Sequence, residues 1–196
     1  LSPNLLAESC GAALEFITKK GQFTMVTIQK AAPCSKGSVA SITLENANGM
    51  RVTLLSYGAT IQSILVPDKD GRMTDVLLGY DRAADYEVNS GYLGACIGRN
   101  GNRIAGAAFC LNSRRYTLTA NEGKNQLHGG LCGFDKKIWS YTCREDSVEF
   151  TTVLADGEEG FPGRMEVAIT FTLDDENGLH IDYRAVSDRD TVANFT

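Results

Sequence analysis

Residues 165–173 read Met-Glu-Val-Ala-Ile-Thr-Phe-Thr-Leu. Met165, Val167, Ile169, Phe171 and Leu173 alternate with Glu166, Ala168, Thr170 and Thr172, which in an extended chain makes one apolar face and one polar face. The same period of two returns at Val148, Phe150 and Leu154, and at Leu179, Ile181, Tyr183 and Ala185. Met50-Val52-Leu54 and the run Ile61 to Val66 are further strand candidates. The connections are turn formers: ENANG at 45–49, PDKDG at 67–71, DGEEG at 156–160 and DDENG at 174–178. Many strands at short intervals, joined this way, predict a mostly β chain, an antiparallel β-sandwich or barrel. The DDENG turn is short and the flanking apolar sets are in phase. Residues 165–173 and 179–186 are therefore expected to pair as a hairpin, with Phe171 and Ile181 on one face. DRAADYEV at 81–88 can hold a helical turn.

The period of two starts at about Val39. Upstream, residues 2–21 read as a helix. Ser2 caps it, Pro3 suits its first position, Lys19 and Lys20 meet the C-terminal dipole and Gly21 ends it. Its apolar stripe, Leu6, Ala13 and Ile17, is thin. Residues 1–24 are accordingly read as a helical appendage and residues 25–196 as the β domain, with Met25 a possible start.

The 196 residues are 43% hydrophobic and 22% charged, ordinary for a soluble globular protein with a substantial core. A net charge of −5 argues against nucleic acid as a partner, since a phosphate backbone wants a basic face. No basic cluster reads anionic lipid, and no stretch approaches the roughly 20 apolar residues of a membrane-spanning helix. Cysteines stand at 10, 34, 96, 110, 132 and 143 without a Cys-x-x-Cys pair, which argues against zinc. The start lacks the basic and apolar runs of a secretory signal, so free thiols in the reducing cytoplasm are expected.

The chain has only two histidines. His180 shares a strand face with Asp182 and Arg184 and reads as a solvent-side residue. His128 lies in NQLHGGLCGFDKKIW (125–139), an aperiodic segment where two glycines let the backbone approach a ligand or take positive φ. Taken alone, it fits a turn histidine bonded to backbone as well as it fits a site. GRNGNRI (98–104) adds Arg99 and Arg103, planar forks of donors, and two asparagines, each donor and acceptor. Its glycines are no dinucleotide fingerprint, because strand-turn-helix context is absent. Together with His128 and the nearby aromatics, these groups suit a ligand covered in hydroxyls. Glu158 and Glu159 are adjacent acids in a turn and are read as solvated rather than as an acid/base pair.

Five segments in order, NGMRVTLLSYGATIQSILVPDKDG (48–71), DVLLGYD (75–81), GRNGNRI, NQLHGGLCGFDKKIW and DGEEGFPG (156–163), make the chain from about residue 39 onward resemble the aldose 1-epimerase (galactose mutarotase) family. The resemblance implies a large β-sandwich that interconverts the α and β anomers of free hexoses, such as galactose and glucose, without metal or organic cofactor. It implies that Asn102 and Arg103 bind sugar hydroxyls and that His128 sits against the sugar near the ring oxygen as a catalytic residue. Imidazole, with an ordinary pKa of roughly 6.5, suits proton transfer in both directions.

Two departures qualify the match. Gly101 stands where the family usually has alanine. TVANFT (191–196) is similar to the lead-in of the family's Asn-His-Ser-Tyr-Phe motif, whose histidine is the usual general acid; that motif and a later general-base glutamate are expected beyond Thr196. The expected fold is thus a truncated sandwich, the N-terminal half of the domain, inactive by itself. The competing reading is a noncatalytic carbohydrate-binding β-sandwich. An epimerase of hexose phosphates would want extra basic residues, and none stands out.

Overall fold

The structure is a computed structural model that describes residues 13–17, 23–30 and 33–196. A first sheet of six strands runs in chain order: β1 (Ala13–Ile17), β2 (Phe23–Lys30), β3 (Ala40–Glu45), β4 (Arg51–Leu55), β5 (Thr60–Pro67) and β6 (Met73–Asp75). Every neighbouring pair in it is antiparallel. Two short ribbons follow. β7 (Arg103–Ile104) pairs with β10 (Gln126–Leu127), and β8 (Ala108–Leu111) pairs with β9 (Arg114–Thr117). A second sheet holds β11 (Ser140–Cys143), β12 (Ser147–Leu154), β13 (Met165–Leu173) and β14 (Leu179–Ser187), again in chain order. The turn expected at 81–88 is a 3-10 helix over Ala83–Val88.

The helix expected over 2–21 is not what stands at 13–17. Those residues form strand β1, with Ala13 opposite Thr27 and Ile17 opposite Phe23. The rest of that expectation lies outside the described residues. A helix with a thin apolar stripe gains little from packing, whereas a strand laid beside β2 supplies backbone partners along an edge that would otherwise be open.

One apolar core joins the two sheets. Ile42, Leu44, Val52 and Leu54 of the first pack with Val148, Phe150, Val167, Ile169 and Phe171 of the second. The alternation in β13 does what its period dictates: Met165, Val167, Ile169, Phe171 and Leu173 are all buried, while Glu166 is exposed. Phe150 and Phe171 meet edge to face with ring centres 5.9 Å apart. Truncating Phe171 to Ala would cost about 3–5 kcal/mol, the lost transfer energy plus a cavity that the close-packed core cannot fill. The 165–173 hairpin forms as expected, with Phe171 directly opposite Ile181 and hence on the same face. Burial does not follow across the pair, because Phe171 is fully covered and Ile181 is 38% exposed.

The turns of the sheets are tied together by Asn46, itself buried. Its amide Nδ2 donates to Asp174 O and to Asn177 Oδ1, both at 2.8 Å, across to the β13–β14 turn. Its Oδ1 accepts from the N–H groups of Asn48 and Met50. Loop backbone is then pinned onto the sheets. Ile61 N–H donates to Gly94 O at 2.8 Å, Gly58 N–H to Lys137 O at 2.7 Å, and Trp139 N–H to Ser56 O at 2.8 Å. The long segment between the sheets is thus held against β5 and the β4–β5 turn, and it carries the candidate residues. Cys34, Cys96, Cys110, Cys132 and Cys143 are free thiols; Cys10 lies outside the described residues.

Candidate functional site

The 98–104 and 125–139 segments meet in the β7–β10 ribbon, where Arg103 stands opposite Leu127. Beyond the ribbon the chains stay joined by two reciprocal bonds. His128 N–H donates to Asn102 O at 3.1 Å, and Asn102 N–H donates to His128 Nδ1 at 3.0 Å. Both residues are left-handed, with φ of 63° at Asn102 and 53° at His128. Asparagine takes that conformation readily; for histidine it is a less common state that the two bonds hold in place.

The second bond decides the protonation chemistry. Nδ1 accepts a backbone N–H, so it carries no proton, and the neutral ring bears its proton on Nε2 as a donor. Burial is the largest influence on this imidazole and pushes its pKa below the ordinary 6.5; Arg103 adds to the lowering, while Asp135 and Glu122 oppose it. His128 is therefore a fixed neutral donor, and protonating it would set a ring N–H against the Asn102 N–H.

Arg103 extends the cluster. Its Nε donates to Glu122 Oε2 at 2.6 Å, Nη2 to Glu122 Oε1, and Nη1 to Asn102 Oδ1 at 3.3 Å. The pair is exposed and contributes little to stability. Its effect is geometric, since the fork aims the guanidinium along the side of Asn102. Tyr92 meets the His128 ring edge to face at 4.6 Å between centres. Asn102, Arg103, His128, Tyr92 and Glu122 thus form one surface of fixed donors, acceptors and one aromatic ring.

The glycines explain themselves by contact. A Cβ on Gly129 would lie 2.1 Å from Gly98 O, and one on Gly133 would lie 2.7 Å from His128 O. Gly129 also has φ of +87°. The loop packs backbone against backbone, leaving no room for a side chain on its inner side. Asn121 cradles it: its Nδ2 donates to Leu127 O at 2.9 Å and Gly130 O at 3.0 Å, and its Oδ1 accepts Leu127 N–H at 2.7 Å.

Several expectations divide here. Arg99 is not with Arg103. It is buried, donates to Pro162 O at 3.0 Å and Gly163 O at 2.6 Å, and lies over the Phe161 ring. It fastens the 98–99 backbone to the 161–163 turn. The aromatics next to His128 in sequence are core, not sugar platforms: Phe134 and Trp139 are buried, ring against ring, with Trp139 Nε1 donating to Phe134 O at 3.1 Å. The ring that stands against His128 is instead Tyr92, from the glycine-rich stretch before GRNGNRI. Its signal was an aromatic in an aperiodic loop, as Asn121 was an amide in one, and neither distinguishes a site residue from a turn residue. His180 is exposed, as expected, with Nε2 2.7 Å from Asp174 Oδ2.

The acidic residues differ from one another. Glu158 pairs with Lys137 at 2.6 Å. Glu159 is not simply solvated: its Oε1 accepts Cys132 N–H at 2.8 Å, and its Oε2 is buried without a partner. Asp135 is also buried, and burial pushes its carboxyl up from the ordinary 3.8 although Lys136, 3.4 Å away, pulls the other way. Among the described residues no group of three or more His, Cys, Asp or Glu is placed to hold a metal ion, and no helix is long and apolar enough to cross a membrane.

Comparison with known proteins gives a consistent result. The family model described as aldose 1-epimerase matches residues 40–196. The chain is 40% identical to the galactose mutarotase of Bos taurus over 176 residues, 88% of this chain and 51% of that relative. It is 46% identical to the aldose 1-epimerase of Haemophilus influenzae over 156 residues, 79% of this chain and 45% of that relative. The crystal structure of galactose 1-epimerase from Lactobacillus acidophilus NCFM matches the fold with a TM-score of 0.76 at 31% identity, covering 87% of this chain and 51% of that one. The chain thus spans about half the length of the relatives it matches. Its antiparallel sheets, the five motifs and these likenesses agree: the chain belongs to the aldose 1-epimerase family.

Proposed function

We propose that the surface made by Asn102, Arg103 and His128 is the hexose-binding side of an aldose 1-epimerase site, which interconverts the α and β anomers of free hexoses such as galactose and glucose. The observation that carries this reading is the reciprocal pair of bonds between Asn102 and His128, which leaves Nε2–H as the ring's free donor on the same cluster as the Asn102 amide and the Arg103 guanidinium. Those groups offer donors and an acceptor at fixed spacing, which is what a ring of hydroxyls requires.

Mutarotation opens a cyclic hemiacetal. A base removes the proton from the anomeric hydroxyl, the C1–O5 bond breaks as the C1 carbonyl forms, and an acid delivers a proton to O5. The C1–C2 bond turns and the ring closes on the other face by the reverse steps. With Nδ1 occupied, His128 does not exchange protons in this scheme. Its Nε2–H donates a hydrogen bond to the ring oxygen and stabilises the charge that gathers there as C1–O5 breaks. The proton-transferring acid and base are then other groups, and the family resemblance assigns them to residues following Thr196 in sequence.

The test is polarimetry of freshly dissolved α-galactose with this 196-residue chain and with a chain extended to the family's full length. The extended chain should speed the approach to anomeric equilibrium and the short one should not. In the extended chain, His128→Ala should lower kcat more than it raises KM. Unchanged kcat would sink the role at the ring oxygen. Sugar binding with no turnover in the extended chain would favour the noncatalytic carbohydrate-binding reading instead.

A further inference from the structure

We infer that Glu159 is a positioning residue for His128. This rests on His128 as the sugar-facing group, although the geometry that supports it involves no sugar. Glu159 sits in the DGEEG turn with φ of 52°, between Gly157 at 81° and Gly160 at 89°. A side chain in that conformation costs roughly 1–2 kcal/mol relative to glycine. A solvated acid would give nothing in return.

This one is only partly solvated. Its Oε1 accepts the Cys132 N–H at 2.8 Å, and its Oε2 is buried against Gly130, where a Cβ would lie 2.1 Å away. Its main-chain carbonyl accepts Thr119 N–H at 3.1 Å and Gln126 Nε2 at 3.2 Å. The side chain of Glu159 therefore holds the backbone that follows His128, while its own carbonyl holds the Thr119 N–H and the Gln126 side chain that precede it. The grip transmits directly, because Gly130 N–H donates back to Leu127 O at 3.1 Å and Gly133 packs against His128 O. Loosening residues 130–133 frees the His128 peptide from Asn102 O, and with it the ring from Asn102 N–H. The ring is also flanked by Arg103, Glu122, Asp135 and Tyr92, which remain in place. Oε2 has no donor facing it, so an amide there would preserve the Oε1 contact.

The chain has two histidines, so long-range proton–nitrogen spectra of the imidazoles show two rings, and His180→Asn identifies which is which. In the unaltered chain His128 should be the Nε2–H tautomer and titrate below 6.5. Glu159→Ala should mix the tautomers and move the titration toward 6.5, and Glu159→Gln should restore both. If the alanine variant does not fold, Glu159→Asp, one methylene too short to reach Cys132, is scored the same way. A wild-type tautomer and titration in the alanine or aspartate variant overturns the proposal. So does a glutamine variant that behaves like alanine. In parallel, galactose binding should weaken roughly fivefold in Glu159→Ala, the ratio that one lost hydrogen bond carries, and recover in Glu159→Gln. If the imidazole changes as stated while galactose binding does not, the positioning role stands and the sugar contact of His128 falls.

Discussion

Replacing Gly129 with alanine separates backbone strain from backbone collision in the His128 loop. Gly129 has φ of +87°, and its new Cβ would lie 2.1 Å from Gly98 O, 2.6 Å from Gly98 C and 2.7 Å from Arg99 N. All three are main-chain atoms, and Gly98 O is already held by Phe134 N–H at 3.1 Å. Gly49, in the β3–β4 turn, has nearly the same φ, +82°, with nothing within 4 Å of its Cβ position. The conformational strain of alanine, roughly 1–2 kcal/mol, is therefore common to both, as is the compensating loss of unfolded-chain entropy, roughly 0.4–1 kcal/mol. Gly49→Ala should cost about 1 kcal/mol. Gly129→Ala should cost that plus the collision, roughly 1–3 kcal/mol for forcing atoms into filled space. The two variants should differ by about 2–12 °C in Tm by calorimetry, using the 2–4 °C per kcal/mol expected at this chain length. Only Gly129→Ala should also disturb the His128 imidazole. Equal Tm values, with the imidazole unchanged, would refute the claim that glycine is required there by close approach of the 98–99 backbone.

Other outcomes follow from the same geometry. His128 titrates lower folded than unfolded, so its contribution to stability is complete above 6.5 and is lost as pH falls through its folded value; His128→Gln should flatten urea-unfolding stability against pH in that window. Asp135 has the opposite sign. Its folded pKa is raised, so its favourable contribution is complete below 3.8 and lost as pH rises through the folded value, and Asp135→Asn should gain stability at neutral pH relative to acid. Arg103→Lys should leave Tm within measurement error, since its pair with Glu122 is exposed, yet weaken galactose binding because a point charge cannot reproduce the fork. Arg99→Lys should do the reverse to stability, lowering Tm by roughly 2–8 °C as two buried carbonyls, Pro162 O and Gly163 O, lose a shared donor.

The strands could be seen in the sequence because burial on one face of a sheet writes itself as a period of two. Met165 to Leu173 shows that pattern in its apolar set, all buried, although Ala168 on the other face is buried too, and its pairing with Leu179 to Ser187 follows from one short turn. The segment at 13–17 shows where such reading ends, because an edge strand owes its conformation to the backbone of β2 and not to its own pattern. For the site, residue type and motif singled out Asn102, Arg103 and His128, but not what holds them. That the ribbon sets Arg103 opposite Leu127, and so closes Asn102 N–H onto His128 Nδ1, is a matter of register between segments 26 positions apart. The two arginines of GRNGNRI are chemically identical in the sequence. Only the fold buries Arg99 under the 161–163 turn and leaves Arg103 at the surface, and only the fold sends Trp139 into the core while bringing Tyr92 to the histidine. Local sequence dictates periodicity and turn chemistry, whose causes lie within a few residues. Partner choice, tautomer and burial are set by atoms that arrive from elsewhere in the chain, and those distances exist only once the sheets have packed.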